Sequence, residues 1–297
     1  MLRNRRRRAT ASLVAVGIVL LVLASPAAAT WSIVATDADT GQVGVAIASC
    51  VPGEALGDPD TPLFPVVLVP GTAAAVTQAQ LDVEAPARIG ELIRAGESPA
   101  DVIAAVTELG VDPLAALRQH AVVDVDGRAA ASTGAEASPE ALDAQGGGVS
   151  AQGNLLASRA VVEDALAHYT DARRGGADLG TALVAALAAG SDAGGDRRCG
   201  DRTALFAQVM VADPGDDPAA PTILLTVFSG EDGDENPVDV LSQAWADGER
   251  GVIDLRVRER TAAPILRIAV LVLAVVAAVV AVIVFRRGLG SPAARRS

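Results

Sequence analysis

Ala27-Ala28-Ala29-Thr30-Trp31-Ser32 is the stretch on which the rest of the chain turns. An apolar leader ends there in small residues, and a strand-like run over residues 31–36 begins at once. Cleavage by a signal peptidase after Ala29 would leave a threonine at the head of the mature chain. Such a threonine carries nucleophile and base together, because its hydroxyl can attack a carbonyl while its own α-amine takes the proton. The competing reading is that Thr30 is merely the residue that follows a leader.

The leader has the three parts of a secretory signal: Arg3 and the four arginines at 5–8, an apolar run over residues 13–23, and the Ala27-x-Ala29 cleavage site. Near the other end, residues 265–285 form an apolar run close to the 20 or so residues a bilayer needs, broken only by Arg267. Arg286, Arg287, Arg295 and Arg296 follow it and mark that side as cytoplasmic. The expected order is a signal peptide (1–29), an ectodomain (30–248), a stalk (249–263), a transmembrane helix (264–286) and a short cytoplasmic tail (287–297). This makes a single-pass plasma-membrane protein whose N-terminal domain is extracytoplasmic.

All 36 acidic residues fall between positions 30 and 263, together with 14 of the 24 arginines, so this region carries −22 with histidines neutral. Nucleic acid is excluded as a partner, since phosphate binding needs a positive footprint. The charge keeps an exposed ectodomain soluble. Cys50 and Cys199, the two cysteines, lie in the exported region, where oxidation is permitted. His120 and His168 show no metal-ligand spacing with either cysteine, so no metal is expected. The chain contains no lysine.

Strand patterns over 31–36 and 43–49 flank an Asp- and Gly-containing turn, which predicts a hairpin. A Pro-, Gly- and Asp-rich loop (51–65) leads to strands over 66–69 and 73–77. Helical periodicity follows around Ile89, Leu92 and Ile93, and Ser98-Pro99 opens a second helix. Strands over 121–125 and 128–132 flank Asp126-Gly127; helices are predicted over 159–169 and 179–188, strands over 204–211 and 222–228, and a last helix over 237–245. Helices thus come in pairs between antiparallel hairpins, which predicts an α+β layered sandwich rather than a doubly wound sheet.

Five motifs in order resemble those of the DUF1028 family: Thr30-Trp31-Ser32-Ile33-Val34-Ala35, Gly44-Val45-Ala46-Ile47-Ala48-Ser49, Ala75-Val76-Thr77-Gln78-Ala79, Ala151-Gln152-Gly153-Asn154 and Gly194-Gly195-Asp196-Arg197-Arg198. The resemblance runs from about residue 30 to about 248. It implies a four-layer αββα sandwich of the Ntn-hydrolase-like (N-terminal nucleophile) type. In cytosolic members the corresponding threonine follows the initiator methionine, so methionine removal would expose the residue that signal cleavage exposes here. Two departures stand out. Cys50 occupies the place of an arginine or lysine in many relatives, and Cys199 is inserted before Gly200. Both flank motifs expected near the site, and the expectation is that they are joined.

An α-amine with an unperturbed pKa near 8 suits a base at neutral pH, so Thr30 needs neither a histidine nor a cofactor. Asn154, beside Gly153, is either an oxyanion donor or part of a turn. Ser49, on the strand expected to pair with that of Thr30, is a candidate proton relay. Thr77, Gln78 and Gln152 are candidates to orient the amine or bind substrate. Asp196 with Arg197 or Arg198 forms either an ion pair or a carboxylate-binding turn. Two functions follow. One is a membrane-anchored N-terminal-threonine amidohydrolase or peptidase acting on a small amide or peptide; the other is a non-catalytic ligand-binding or interaction ectodomain on the same fold.

Overall fold

The structure is a computed structural model that describes residues 30–52, 62, 65–230 and 233–256. β1 (Thr30–Asp37) is buried along its whole length. A strand buried on both faces must lie inside a sheet with packing above and below it. Its hairpin partner β2 (Gln42–Ser49) follows a turn in which Asp37 Oδ1 accepts from the Asp39 and Thr40 N–H groups at 3.0 and 3.4 Å. Gly41 takes a φ of +73° there, which glycine adopts without steric cost.

β8 (Val149–Asn154) pairs with the other edge of β1. The seven-stranded sheet has the order β11 (Gly251–Asp254), β10 (Ile223–Phe228), β9 (Phe206–Ala212), β2, β1, β8, β7 (Leu142–Gly146). A second sheet of four strands runs β3 (Val66–Val69), β4 (Ala73–Ala79), β5 (Arg118–Asp124), β6 (Ala129–Thr133). The sheets face each other across an apolar core in which Val34, Val45, Ile47 and Met210 of the first meet Leu68, Val76, Ala121 and Val123 of the second.

Helices α1 (Ala85–Arg94) and α2 (Pro99–Thr107) cover the far side of the four-stranded sheet, where Ile89, Ile93, Val102 and Val106 pack on Ala73, Ala75 and Val122. Ser98 caps α2 as its sequence predicts, accepting from the Asp101 N–H. Helices α3 (Ala160–Arg174), α4 (Leu179–Asp192) and α5 (Pro237–Ala246) pack on the seven-stranded sheet. α4 lies against β1, β2 and β9 and is buried at ten positions, which its alanine and glycine content permits. The mixed α+β architecture is as expected.

Boundaries differ where polar residues sit inside elements. α3 runs to Arg174, five residues beyond the expected end, because its last turn carries polar side chains on an exposed face. β5 starts at Arg118 rather than 121. β7 was not foreseen, since Leu142-Asp143-Ala144-Gln145-Gly146 has little strand propensity and is held by pairing with β8. Gly251–Asp254 forms the edge strand β11 where a stalk from 249 was expected, with Val252 packed against the core. A second unit begins at Asp254; in it Arg256 holds Asp254 at 2.7 Å. Among the described residues no helix is long and apolar enough to cross a membrane. The expected signal peptide and the 264–286 span lie outside those residues.

Candidate functional site

β1 stands between β2 and β8, so its first residue has a neighbour on each side: Thr30 is opposite Ser49 on β2 and Asn154 on β8. The three side chains are 4%, 0% and 0% exposed. The Thr30 hydroxyl donates to Ser49 Oγ at 3.3 Å, and Ser49 Oγ also accepts the Val51 N–H at 3.1 Å. Strand alternation sends Thr30 and Ser32 toward the second sheet and Trp31 toward α4. The Trp31 ring fills a slot left by two glycines: a Cβ on Gly190 would stand 2.7 Å from Trp31 Nε1, and one on Gly195 would stand 2.9 Å from Cη2. The indole N–H donates to the Leu187 carbonyl at 3.4 Å. Trp31 therefore fixes the position of its neighbour.

Beneath Thr30 lies a chain of neutral polar side chains, all buried. Gln78 Nε2 donates to the Thr30 carbonyl (3.3 Å) and to Gln119 Oε1 (3.1 Å), while Gln78 Oε1 accepts from Ser32 Oγ (2.7 Å). Gln152 Nε2 donates to Ser32 Oγ at 2.7 Å and to the Ser32 carbonyl at 3.1 Å. Asn154 Nδ2 donates to Gln119 Oε1 at 3.0 Å. Gln119 Nε2 faces the carbonyls of Leu142 (3.2 Å) and Gly153 (2.9 Å). Backbone carbonyls only accept, so the nitrogen of Gln119 must point at them and its oxygen at Asn154 and Gln78. That orientation turns the Asn154 NH2 toward Gln119 and leaves Asn154 Oδ1 buried with no partner among the described residues. One of the two N–H groups of the Asn154 amide, the expected oxyanion donor, is thus committed to Gln119.

Asp196 is fully buried at the turn beside this cluster. Its carboxylate accepts from the Cys50 N–H (2.9 Å), the Arg198 N–H (3.0 Å) and, through both oxygens, the Arg198 guanidinium (3.1 and 2.7 Å). A bidentate arginine and backbone donors are what a buried carboxylate requires. Of the two arginines foreseen for this pair, Arg198 makes it. Arg197 is exposed and its side chain has no partner among the described residues. Cys50 and Cys199 are disulfide-bonded with Cα atoms 5.7 Å apart, which ties the end of β2 to the Asp196 turn.

Thr77 falls outside the cluster. It alternates with Gln78 and so points to the far face of the four-stranded sheet, opposite His120 in the β4–β5 register. Thr77 Oγ1 and both His120 ring nitrogens are buried there without partners among the described residues. His168 is on the exposed face of α3, its Nδ1–H donating to the Asp164 carbonyl at 2.9 Å. Neither histidine touches Thr30's neighbours.

Burial holds the His120 pKa down to about 4, with Asp112 and Asp82 opposing and Arg118 and Arg88 reinforcing that shift. The unfolded chain protonates this imidazole near pH 6.5 and the folded chain does not. Stability is therefore intact above pH 6.5, is lost as pH falls from there toward 4, and the loss amounts to about 3 kcal/mol. In denaturant titrations, wild type is expected to lose this much more than His120→Gln between pH 7 and pH 4. Parallel pH profiles for the two would show that the imidazole is not held neutral.

Non-glycine residues with positive φ gather at this end of the sheets: Ala79 (71°) follows Gln78, Leu155 (51°) follows Asn154, and Thr203 (59°) accepts the Asp196 N–H through its carbonyl at 3.0 Å. Strain of this kind persists where the surroundings over-determine the backbone, as around functional sites. Ser32 and Gln119, which the sequence reading did not single out, belong to the cluster. A cavity of about 450 Å³ lies elsewhere, at the opposite end of β1, between Asp37, Tyr169, Arg173 and Gly146–Gly148. Among the described residues no group of three or more His, Cys, Asp or Glu side chains could hold a metal ion.

The chain that carries this cluster matches a known family in sequence. The family model of DUF1028, a family of unknown function, matches residues 30–266, and the chain belongs to that family. A crystal structure of a DUF1028 protein from Silicibacter pomeroyi is similar over 74% of this chain and 88% of its own, at 24% identity and a TM-score of 0.56. That likeness concerns the fold. None of the curated proteins matches.

Proposed function

We propose that the protein is an exported N-terminal-threonine amide hydrolase, anchored by a helix at 264–286, whose αββα layering is of the Ntn-hydrolase type. The observation that carries this reading is that Thr30, the residue exposed by cleavage after Ala29, opens the central strand with its hydroxyl bonded to Ser49 in a buried, neutral polar cluster. Neutral surroundings favour an uncharged amine, because burial penalises the ammonium form.

In the proposed reaction Thr30 Oγ1 adds to the amide carbonyl carbon, and its proton passes to the Thr30 α-amine. Collapse of the tetrahedral adduct breaks the C–N bond, and the departing amine takes that proton. Water then adds to the threonine ester, again giving its proton to the α-amine, and the acid leaves as Oγ1 is restored. Ser49 holds the hydroxyl. Arg197, with Arg198 occupied by Asp196, is the group suited to a substrate carboxylate, which points to small amides or peptides.

The second reading, a ligand-binding ectodomain without catalysis, is favoured by Cys50, which stands in a disulfide where the family resemblance implies a basic residue. A β-lactone or other acylating electrophile separates the two. The catalytic reading expects a covalent adduct on Thr30 Oγ1 that disappears in Thr30→Ala; an intact Thr30 terminus that stays unmodified favours the binding module.

A further inference from the structure

The oxygen of Asn154 is a buried acceptor of the Thr30 cluster with no partner among the described residues. The strand register sets Asn154 directly opposite Thr30. Opposed Cα atoms on antiparallel strands lie about 4.5–5.5 Å apart, so a side-chain oxygen two bonds beyond Cβ can reach a nitrogen on the facing residue. An acceptor this deeply buried without a donor carries an uncompensated desolvation cost, and a matching donor recovers it.

We infer that Asn154 Oδ1 accepts a hydrogen bond from the α-amino group of Thr30 once the leader is removed, with Gln119 holding the amide in the orientation that makes this possible. The inference rests on Thr30 being the mature N-terminus. Asn154 thereby serves the base through its oxygen, while one N–H of its amide is held by Gln119. Cleavage at Ala29-Thr30 replaces one peptide N–H by an amine with two or three N–H bonds, which creates the donor the cluster lacks. The side chains contributed by β1, β2, β4, β5 and β8 around it are neutral: Ser32, Ser49, Gln78, Gln119, Gln152 and Asn154. Among the described residues charge enters at the margins only, through Asp143, which accepts from Thr133 and so reaches Gln119, and through Asp196 with Arg198. The carbonyls of Leu142 and Gly153 set the orientation of the whole chain, so Gln119 is a positioning residue.

The absence of lysine gives a clean test. In the mature full-length protein the α-amine is the sole primary amine, and its pKa follows from the pH dependence of its acetylation by acetic anhydride, with the N-terminal peptide read by mass spectrometry. Removing the acceptor in Asn154→Leu is expected to lower that value by about one unit, a tenfold change in the ammonium–amine equilibrium. Asn154→Asp is expected to raise it, by placing an anion beside the ammonium, and Gln119→Met to lower it by a smaller amount. Thr77→Val, on the other face of its sheet, is expected to leave it unchanged. Wild-type values in folded Asn154→Leu and Asn154→Asp proteins that begin at Thr30 would overturn the inference and leave the nucleophile standing. A mature chain that begins elsewhere would overturn both.

Discussion

Trp31→Ala is expected to destabilise the domain by roughly 3–5 kcal/mol, the range for deleting a large aromatic from a packed core. For a domain of this size such a loss lowers the melting temperature by on the order of 10 °C. Trp31 is 1% exposed, and the slot it fills is closed by Gly190, Gly195 and the carbonyl of Leu187 on α4, a helix that cannot collapse onto β1 without losing its contacts with β2 and β9. The cavity would therefore persist. Gly190→Ala probes the same slot from the other side, because its Cβ would meet the indole at 2.7 Å. It is expected to destabilise wild type by more than 1 kcal/mol and the Trp31→Ala protein by much less, a coupling that a double-mutant cycle in guanidinium measures. Additive losses would mean that the indole does not occupy this slot. Trp31→Ala should also slow electrophile labelling of Thr30 in the fraction that remains folded, since the adjacent indole fixes the strand end.

The second large effect concerns the Cys50–Cys199 bridge, which closes a loop of 149 residues. Constraining so long a loop in the unfolded chain corresponds to about 5 kcal/mol of chain entropy. The Cys50→Ser/Cys199→Ser protein is expected to unfold at correspondingly lower guanidinium concentration, and reduced wild type should match it. The Asp196 carboxylate still holds the Cys50 N–H in both, so the turn keeps its native form and the loss comes from the unfolded side. A double variant as stable as the oxidised protein would show that the bridge is not formed.

Much of this arrangement was legible in the sequence because it is local. The period-2 run after Thr30, the Ser98-Pro99 helix start and the paired helices between hairpins each follow from short-range preferences, and together they give the α+β class. The pairing of Cys50 with Cys199 was legible from the count, since two cysteines have only each other as partners within the chain, and the motif comparison added which turns the bridge would join. What stayed hidden depended on partners far along the chain. Gln119 lies in Arg118-Gln119-His120, a polar tripeptide that looks like the approach to a strand, and it enters β5 because Gln78, Asn154 and the Gly153 carbonyl satisfy it. Ser32 was hidden inside an apolar strand for the same reason. Thr77 could have been set aside by alternation, since Gln78 and Thr77 cannot face the same way on one strand. The role of Asn154 was the least accessible, because whether its nitrogen or its oxygen faces Thr30 is decided by two carbonyls on β7 and β8.

In the proposed function the leader directs export and its removal exposes a reactive terminus, and the second of these hinges on one bond. N-terminal sequencing of the full-length protein tests this most directly. The first residue is expected to be Thr30, followed by Trp31 and Ser32. A chain that keeps its leader, or that begins at any other residue, would contradict the central claim, because Thr30 would then have no free amine to act as its base.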